Sequence, residues 1–211
     1  MADAPDTTRR RRRADGELSR ARIIDAAAEI AAERGYEGTS VAAVSAKCGL
    51  PASSLYWHFT DKDDLIAAVI ERSFGSWLSA WRLPDGGRPR ERMVEMAGQA
   101  LTALLESPDF LRLGLMLALE RRPVEPRART MFLRVRDEAM RAITANIKEI
   151  APGLTDAQAT QLTTFALAGA DGLFIAKEIG GDDVDLPAMF DILGQALYST
   201  AVGMLDENER R

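Results

Sequence analysis

Hydrophobic residues recur every three or four positions along most of the chain from residue 19 onward, the spacing that places them on one face of an α-helix. The first such segment carries Ile23, Ala27 and Ile30 on one face. We expect it to end at Gly35, because glycine readily adopts the left-handed conformation that closes many helices. No segment shows the polar and apolar alternation of a half-buried strand. The pattern therefore predicts an all-α protein of about nine helices.

Two short helices are predicted between Thr39 and Phe59. We expect Thr39 to cap the first helix, Gly49 to end it, and the second helix to follow Pro51. Leu55 and Phe59 lie four residues apart and form an inward row, whereas the other rows carry hydroxyls, an imidazole and aromatic rings. This is the layout of a helix-turn-helix, whose second helix enters the major groove of DNA.

The residues in and around these two helices form a specific pattern, which resembles the N-terminal DNA-binding domain of the TetR (tetracycline repressor-like) family over about residues 19–74. The resemblance implies a homodimeric transcriptional regulator, usually a repressor, whose larger helical C-terminal domain dimerises and binds a small-molecule inducer. The pattern consists of Gly35-Tyr36, Thr39-Ser40-Val41, Gly49-Leu50, Ser54-Leu55-Tyr56-Trp57-His58-Phe59 and Asp61-Lys62-Asp63-Asp64-Leu65.

The resemblance also assigns DNA contacts by position. Ala42 stands where some members read a guanine with an arginine, and Pro51 stands where many have a serine cap. Each assignment has a plainer alternative: Tyr56 could simply cover the domain surface, Trp57 could pack, and His58 could be structural. The positions assigned to DNA contact are Ser40, Ala42, Ala52, Ser53, Ser54, Tyr56, Trp57, His58 and Lys62.

The chain divides, on this interpretation, into a disordered arginine-rich arm at residues 1–17, a helix-turn-helix DNA-binding domain at residues 18–80, and a helical ligand-binding and dimerisation domain at residues 81–211. The arm contains five consecutive arginines, Arg9 to Arg13. They are either a solvated tail or a flexible arm that touches DNA. The formal net charge of −5 argues against nucleic-acid binding, but residues 1–60 hold nine basic and eight acidic residues and are nearly neutral.

Two surfaces are predicted in the C-terminal domain. The last helix has apolar residues spaced by seven, and the helix before it carries small residues, so both helices form either half of a four-helix dimer interface or packing within one subunit. The predicted interface residues are Leu162, Phe165, Gly169, Leu173, Phe190, Leu193, Leu197 and Met204. An apolar or aromatic effector would be held by Met96, Phe110, Met116, Phe132 and Phe165, which are otherwise plain core residues.

Other classes of protein are disfavoured. One cysteine, Cys48, and one histidine, His58, exclude a Cys/His zinc site, and we find no catalytic constellation or phosphate-binding glycine loop. We therefore expect no enzyme activity, metal or cofactor. The apolar stretches are too short to span a membrane, so we expect a cytoplasmic protein.

The function predicted is sequence-specific regulation at pseudo-palindromic double-stranded DNA by a homodimeric repressor, released from its operator by a small-molecule ligand. The alternative is a regulator of the same fold with no small-molecule site, controlled by a partner or by oligomerisation.

Overall fold

The structure is a computed structural model and describes residues 5–80, 86–106, 108–120 and 126–210. These residues form nine α-helices and one short 3-10 turn, with no strand among them, which confirms the all-α prediction. The helices are α1 (Pro5–Gly38), α2 (Val41–Cys48), α3 (Ala52–His58), α4 (Lys62–Ala80), α5 (Pro89–Glu106), α6 (Pro108–Leu119), α7 (Arg127–Ile150), α8 (Asp156–Gly180) and α9 (Leu186–Glu209), with the 3-10 turn at Gly181–Asp183.

The described residues divide into two compact units. The first unit takes the chain up to residue 74 together with residues 112–133, and the second takes residues 75–111 and the chain from residue 134 onward. The division predicted from sequence, after residue 80, differs from this one. Proline and glycine mark where a chain turns, whereas a compact unit is defined by which segments pack together, including segments distant in sequence.

Helix α1 is longer than expected. It begins at Pro5, so residues 5–17, which the sequence analysis assigns to a disordered arm, are helical; Met1 to Ala4 lie outside the described residues. The segment lacks apolar periodicity, but arginine and alanine are good helix formers, and a proline is well tolerated at a helix start. Gly35 interrupts α1 as predicted, with φ of 67° and ψ of −175°.

The core of the first unit is built from the apolar faces of its first four helices. It includes Ile23, Ala27 and Ile30 of α1, which confirms the periodicity seen in the sequence. From the other helices the same cluster contains Val44 and Cys48 of α2, Leu55 of α3 with the adjoining Phe59, and Leu65, Ala68 and Val69 of α4.

The second unit is organised around the pairing of α5 with α9. Gly194 of α9 lies so close to α5 that a Cβ atom there would be 2.7 Å from the Cα of Val94. The buried residues of the two helices are Met93, Met96, Ala97 and Leu104 of α5 and Leu186, Phe190, Leu193, Gly194, Leu197 and Ala201 of α9.

A second close approach lies in the first unit, between α6 and α7. The ring of Phe132 covers Gly114, and a Cβ atom on Gly114 would lie 2.0 Å from Cε2 of that ring. Phe132 is only 2% exposed. Its ring is therefore part of tight helix packing.

We expect Gly114→Ala to lower the free energy of unfolding by about 1–3 kcal/mol, because the ring of Phe132 must move out of its packed position. Urea denaturation followed by circular dichroism measures this. Gly98→Ala is the matched control, because a Cβ atom at Gly98, also within a helix, meets nothing within 4 Å. The control should be neutral or stabilising by up to about 1 kcal/mol, and equal losses in both variants would contradict the packing argument.

Candidate nucleic-acid interface

Helix α2 is capped by Ser40. The Oγ of Ser40 accepts a hydrogen bond from the N–H of Ala43 at 3.2 Å. The prediction that Thr39 would be the cap is wrong: Thr39 is buried and its hydroxyl donates to the carbonyl of Gly35 at 2.9 Å. Both threonine and serine can cap a helix, and only the backbone geometry shows that Ser40, and not Thr39, is the cap of α2.

Hydrogen bonds from side chains of α1 and α2 hold the turn between α2 and α3. Gly49 has φ of 67° and ψ of 24°, the left-handed conformation predicted for it. The hydroxyl of Ser45 donates to the carbonyl of Leu50 at 2.6 Å. From α1, the guanidinium of Arg22 donates to the carbonyl of Cys48 at 2.6 Å. The bond from Arg22 satisfies a carbonyl that the end of α2 leaves without a helical partner.

Helix α3 begins at Ala52 although Pro51 supplies no side-chain cap. The N–H of Ser54 instead donates to the carbonyl of Pro51 at 2.9 Å. Leu55 and Phe59 are 2% and 5% exposed, so the predicted inward row is confirmed. This row attaches the helix to the core and turns its other rows outward.

The outward rows of α3 carry most of the residues assigned to DNA contact. Tyr56 is 60% exposed and Trp57 is 77% exposed. Ala52 and Ser53 are also exposed, whereas Ser54 and His58 are half-buried; on α2, Ser40 and Ala42 are exposed. The residues predicted from sequence therefore occupy an accessible surface. Whether they contact DNA stays a prediction.

His58 lies beside Trp57, with the ring centroids 4.5 Å apart and the planes nearly perpendicular. Burial lowers the pKa of His58 below its ordinary value, and the positive charge of Arg20 lowers this pKa further. At neutral pH the neutral imidazole therefore offers one hydrogen-bond donor and one acceptor.

Lys62, at the start of α4, is held by residues of α1. Its ammonium lies 3.3 Å from a carboxylate oxygen of Glu37 and 3.3 Å from the carbonyl oxygen of Tyr36. It also lies 4.3 Å from the centre of the Tyr36 ring. A phosphate at Lys62 would therefore compete with Glu37 for the same cation.

Asp63 was not singled out from sequence, yet it joins three elements of the first unit. Its carboxylate accepts a hydrogen bond from the hydroxyl of Tyr36 at 3.1 Å. It also accepts hydrogen bonds from the backbone N–H groups of Arg127 and Ala128, the first two residues of α7. An acidic residue in the first turn of α4 is favourable because it interacts with the dipole of that helix. The sequence around Asp63 does not show that this residue also caps α7.

The residues predicted to line a ligand cavity are divided between the two units. Met96 is buried in the second unit and Phe132 in the first, each as part of a core. Met116 is 50% exposed, Phe165 is 46% exposed, and Phe110 is half-buried. Periodicity identifies such residues as apolar but cannot show which of them share a cavity.

Four of the eight residues predicted for the dimer interface are buried within the single chain, whereas the interface itself stays a prediction. A Cβ atom on Gly169 would be 2.6 Å from Cδ1 of Leu193, so these two residues contact each other within the chain. Leu173 and Met204 are half-buried, and only Phe165 is strongly exposed. Spacing by seven reveals an apolar face but not what covers it. The residues buried within the chain are Leu162, Phe190, Leu193 and Leu197.

A different row of α8 is exposed. It consists of Phe165, Ala168, Gly172, Ile175 and Ile179, which follow one another at intervals of three or four residues and so share one helix face. Phe165, Ile175 and Ile179 are 46%, 42% and 82% exposed. We call this row the α8 stripe.

Asp171 of α8 forms an ion pair within the chain. Both of its carboxylate oxygens accept hydrogen bonds from the guanidinium of Arg136 on α7, at 3.2 and 2.6 Å. Burial raises the pKa of Asp171, and the charge and hydrogen bonds of Arg136 oppose that rise. The pair links α7 to α8 in the second unit.

Among the described residues, no group of three or more histidine, cysteine, aspartate or glutamate side chains is arranged to hold a metal ion. Within the same part of the chain, no helix combines the length and apolarity that crossing a membrane requires.

Residues 23–69 match the model of the bacterial regulatory proteins of the tetR family. The matched segment contains the whole helix-turn-helix, so the first unit holds the DNA-binding domain of this family. Relatives that share this segment are named as transcriptional regulators and repressors.

Among curated relatives, the chain is 32% identical over 89 residues to the HTH-type transcriptional repressor KstR of Rhodococcus jostii. The match covers 42% of this chain and 42% of KstR, so the chain spans less than half of that relative's length.

Solved structures share the fold over more of the chain. A tetR-family regulator from Streptomyces coelicolor superposes with a TM-score of 0.74 at 16% identity, covering 92% of this chain and 85% of that one. The regulator FadR from Bacillus subtilis in complex with stearoyl-CoA superposes with a TM-score of 0.68 at 19% identity, covering 85% of this chain and 97% of that one. At these identities the likeness shows the fold alone.

We expect Asp63→Ala to lower the free energy of unfolding by about 1–2 kcal/mol, because it removes the side-chain cap of α7. Thermal and urea denaturation measure the loss. Tyr36→Phe is the matched control, since it deletes one donor to Asp63 and leaves both α7 amides capped. A loss in Asp63→Ala no greater than that in Tyr36→Phe would rule out the capping role.

Proposed function

We propose that the protein is a cytoplasmic repressor that binds a pseudo-palindromic DNA operator as a homodimer and leaves it when a small molecule binds the C-terminal domain. The observation that carries the DNA-binding part is the division of α3 into a buried row, Leu55 and Phe59, and an exposed row with Tyr56 and Trp57. A recognition helix needs both, because the buried row sets its direction and the exposed row meets base edges and phosphates.

The exposed chemistry of α3 suits a major groove. Ser53 and Ser54 offer hydroxyls, which donate and accept hydrogen bonds, and Tyr56 adds a phenolic hydroxyl on a rigid ring. Ser40 contributes as well, because a hydroxyl that accepts a bond from a helix amide keeps its proton available for a phosphate oxygen.

Dimerisation through the α8 stripe is the second part of the proposal. Phe165, Ile175 and Ile179 leave apolar surface on one helix face, and Ile192 of α9 is 57% exposed. Burying such surface against a second copy is favourable. The small residues Ala168 and Gly172 within the stripe allow two helices to approach closely. Two copies would present two recognition helices to two half-sites.

Ligand control is the third part. Support comes from the similar fold of FadR, a structure described as a complex with stearoyl-CoA. A ligand releases DNA only if it binds the non-DNA conformation more tightly. The contrary observation is that Met96 and Phe132 are buried as core residues. Such burial is equally compatible with the second candidate, a regulator of the same fold that is controlled by a partner or by oligomerisation without a small molecule.

We expect Tyr56→Ala to weaken binding to the operator by about tenfold or more, equivalent to a loss of about 1.4 kcal/mol. The operator is a duplex selected from random DNA by the wild-type protein, and fluorescence anisotropy measures the affinity. Because Tyr56 is mostly exposed, the melting temperature of the Tyr56→Ala variant should stay close to that of the wild type. Leu105→Ala, at a position that is 58% exposed on α5, should change neither property. Unchanged affinity in Tyr56→Ala would count against the proposed DNA surface.

We expect Ile175→Glu to convert the dimer to a monomer, because a charge would be buried in the α8 stripe without a partner. Analytical ultracentrifugation measures the mass, and operator binding should fall together with it. Leu105→Glu introduces the same charge at an exposed apolar position of α5 and should remain dimeric. A dimer that survives Ile175→Glu would place the interface elsewhere.

A further inference from the structure

Three groups at the end of α1 surround the ammonium of Lys62. The carbonyl oxygen of Tyr36 lies 3.3 Å from the nitrogen, and the centre of the Tyr36 ring lies 4.3 Å from it. The third group is the carboxylate of Glu37, at 3.3 Å. Tyr36 is only 7% exposed, whereas the side chain of Glu37 is 73% exposed. The ammonium is therefore held by Tyr36 on its buried side and covered by Glu37 on its solvent side.

The short segment that carries Glu37 is fixed to the rest of the domain. It follows the interruption of α1 at Gly35, and the hydroxyl of Thr39 donates to the carbonyl of Gly35 at 2.9 Å. The hydroxyl of Tyr36 donates to the carboxylate of Asp63 at 3.1 Å. Because residues on both sides of Glu37 are anchored, the backbone of Glu37 has a defined position beside the start of α4. The ion pair is therefore a product of the fold.

The backbone at the start of α4 is already bound to carboxylates of its own segment. The N–H of Thr60 donates to a carboxylate oxygen of Asp64 at 3.0 Å, and the N–H of Asp64 donates to Asp61 at 2.8 Å. Amides at a helix start would otherwise attract a phosphate. Lys62 is the only basic residue between Thr60 and Asp64. A phosphate at this turn therefore depends on Lys62, whose cation Glu37 already holds.

Other cations of the first unit are also paired with carboxylates. Lys47 lies 2.6 Å from Glu29, and Arg72 lies 2.7 Å from Asp25. A cation that binds DNA gains affinity by releasing the counterions of a phosphate. Where the cation already has a carboxylate partner, that partner must first be displaced. Among these paired cations, Lys62 is the one that the sequence pattern assigns to DNA contact.

We propose that Glu37 lowers the affinity of the protein for DNA, because its carboxylate holds Lys62 in an ion pair that a phosphate must displace. This inference rests on the proposed function, since it requires that Lys62 meets a phosphate when α3 binds DNA. The competition concerns a phosphate and not a base, so Glu37 weakens binding to every DNA sequence. An ion pair between exposed side chains changes an equilibrium constant by up to about fivefold, which DNA can overcome.

A double-mutant cycle in the full-length chain tests this competition. Glu37→Gln keeps the size of the side chain and removes its charge, Lys62→Gln removes the cation, and a third variant combines the two. Glu33→Gln is the matched control. Glu33 lies one helical turn before Glu37 in the sequence, its side chain is 59% exposed, and its ion pair is with Arg34. The control therefore removes the same charge without uncovering Lys62.

Fluorescence anisotropy measures the affinity for the selected operator and for an unrelated duplex of equal length, between about 50 and 200 mM salt. We expect Glu37→Gln to bind both duplexes about threefold more tightly. The slope of log K against log salt should become steeper by up to about 0.9, because Lys62 then neutralises a phosphate without a competitor. In the Lys62→Gln background, Glu37→Gln should change the affinity no more than Glu33→Gln does. The melting temperature of Glu37→Gln should stay close to that of the wild type, because an exposed ion pair contributes little stability.

Equal gains in Glu37→Gln and Glu33→Gln would show that only the overall charge matters, which overturns the specific role of Glu37. A gain that persists without Lys62 would overturn it as well. Weaker binding by Glu37→Gln would mean that the carboxylate orients Lys62 for DNA, which is the opposite of the proposal. Unchanged affinity for a selected operator would refute this inference alone. If the wild-type protein selects no DNA sequence, the proposed function fails and this inference fails with it.

Discussion

The direction of α3 depends on the burial of two of its side chains. A helix of seven residues is too short to be stable alone in water, because its nucleation is not offset by enough hydrogen bonds. Leu55 and Phe59 supply the missing stability, since burying a side chain of this size contributes about 1.5–3 kcal/mol. They also leave only one orientation in which the helix can dock. The exposure of Tyr56 and Trp57 follows from that orientation.

Hydrogen bonds around α3 also restrict the orientation of this helix. Arg22 from α1 and Ser45 from α2 bind carbonyls of the turn, so the angle between α2 and α3 is determined by polar contacts as well as by packing. Asp63 extends this arrangement to α7, because one carboxylate accepts bonds from Tyr36 and from two amides of that helix. The first residues of α7 are thereby fixed to the DNA-binding domain, while its later residues belong to the second unit.

The exposed surface of α3 carries hydrogen-bonding groups but not the positive charge that attracts DNA. The net charge is −5, and the surface of α3 offers hydroxyls and aromatic rings but no formal charge. Such groups can distinguish bases by hydrogen bonding, yet they contribute little of the electrostatic attraction on which affinity for DNA depends. In the proposed function the electrostatic attraction therefore comes from other elements, among them the exposed Arg20 of α1, which lies beside His58.

Local patterns were sufficient for most helices of this protein and for the helix-turn-helix, but not for the start of α1 at Pro5. The spacing of Ile23, Ala27 and Ile30, the left-handed Gly49 and the inward pair Leu55 and Phe59 were all predicted, because each depends on residues within two turns of one another. Tertiary structure alone decided which apolar faces are covered. The regular spacing of Phe190 and Leu197 cannot distinguish a partner subunit from α5, and only the packed chain shows that they are buried internally. Asp63 likewise acts on a residue 64 positions away, and a contact at such a distance leaves no periodic pattern in a sequence.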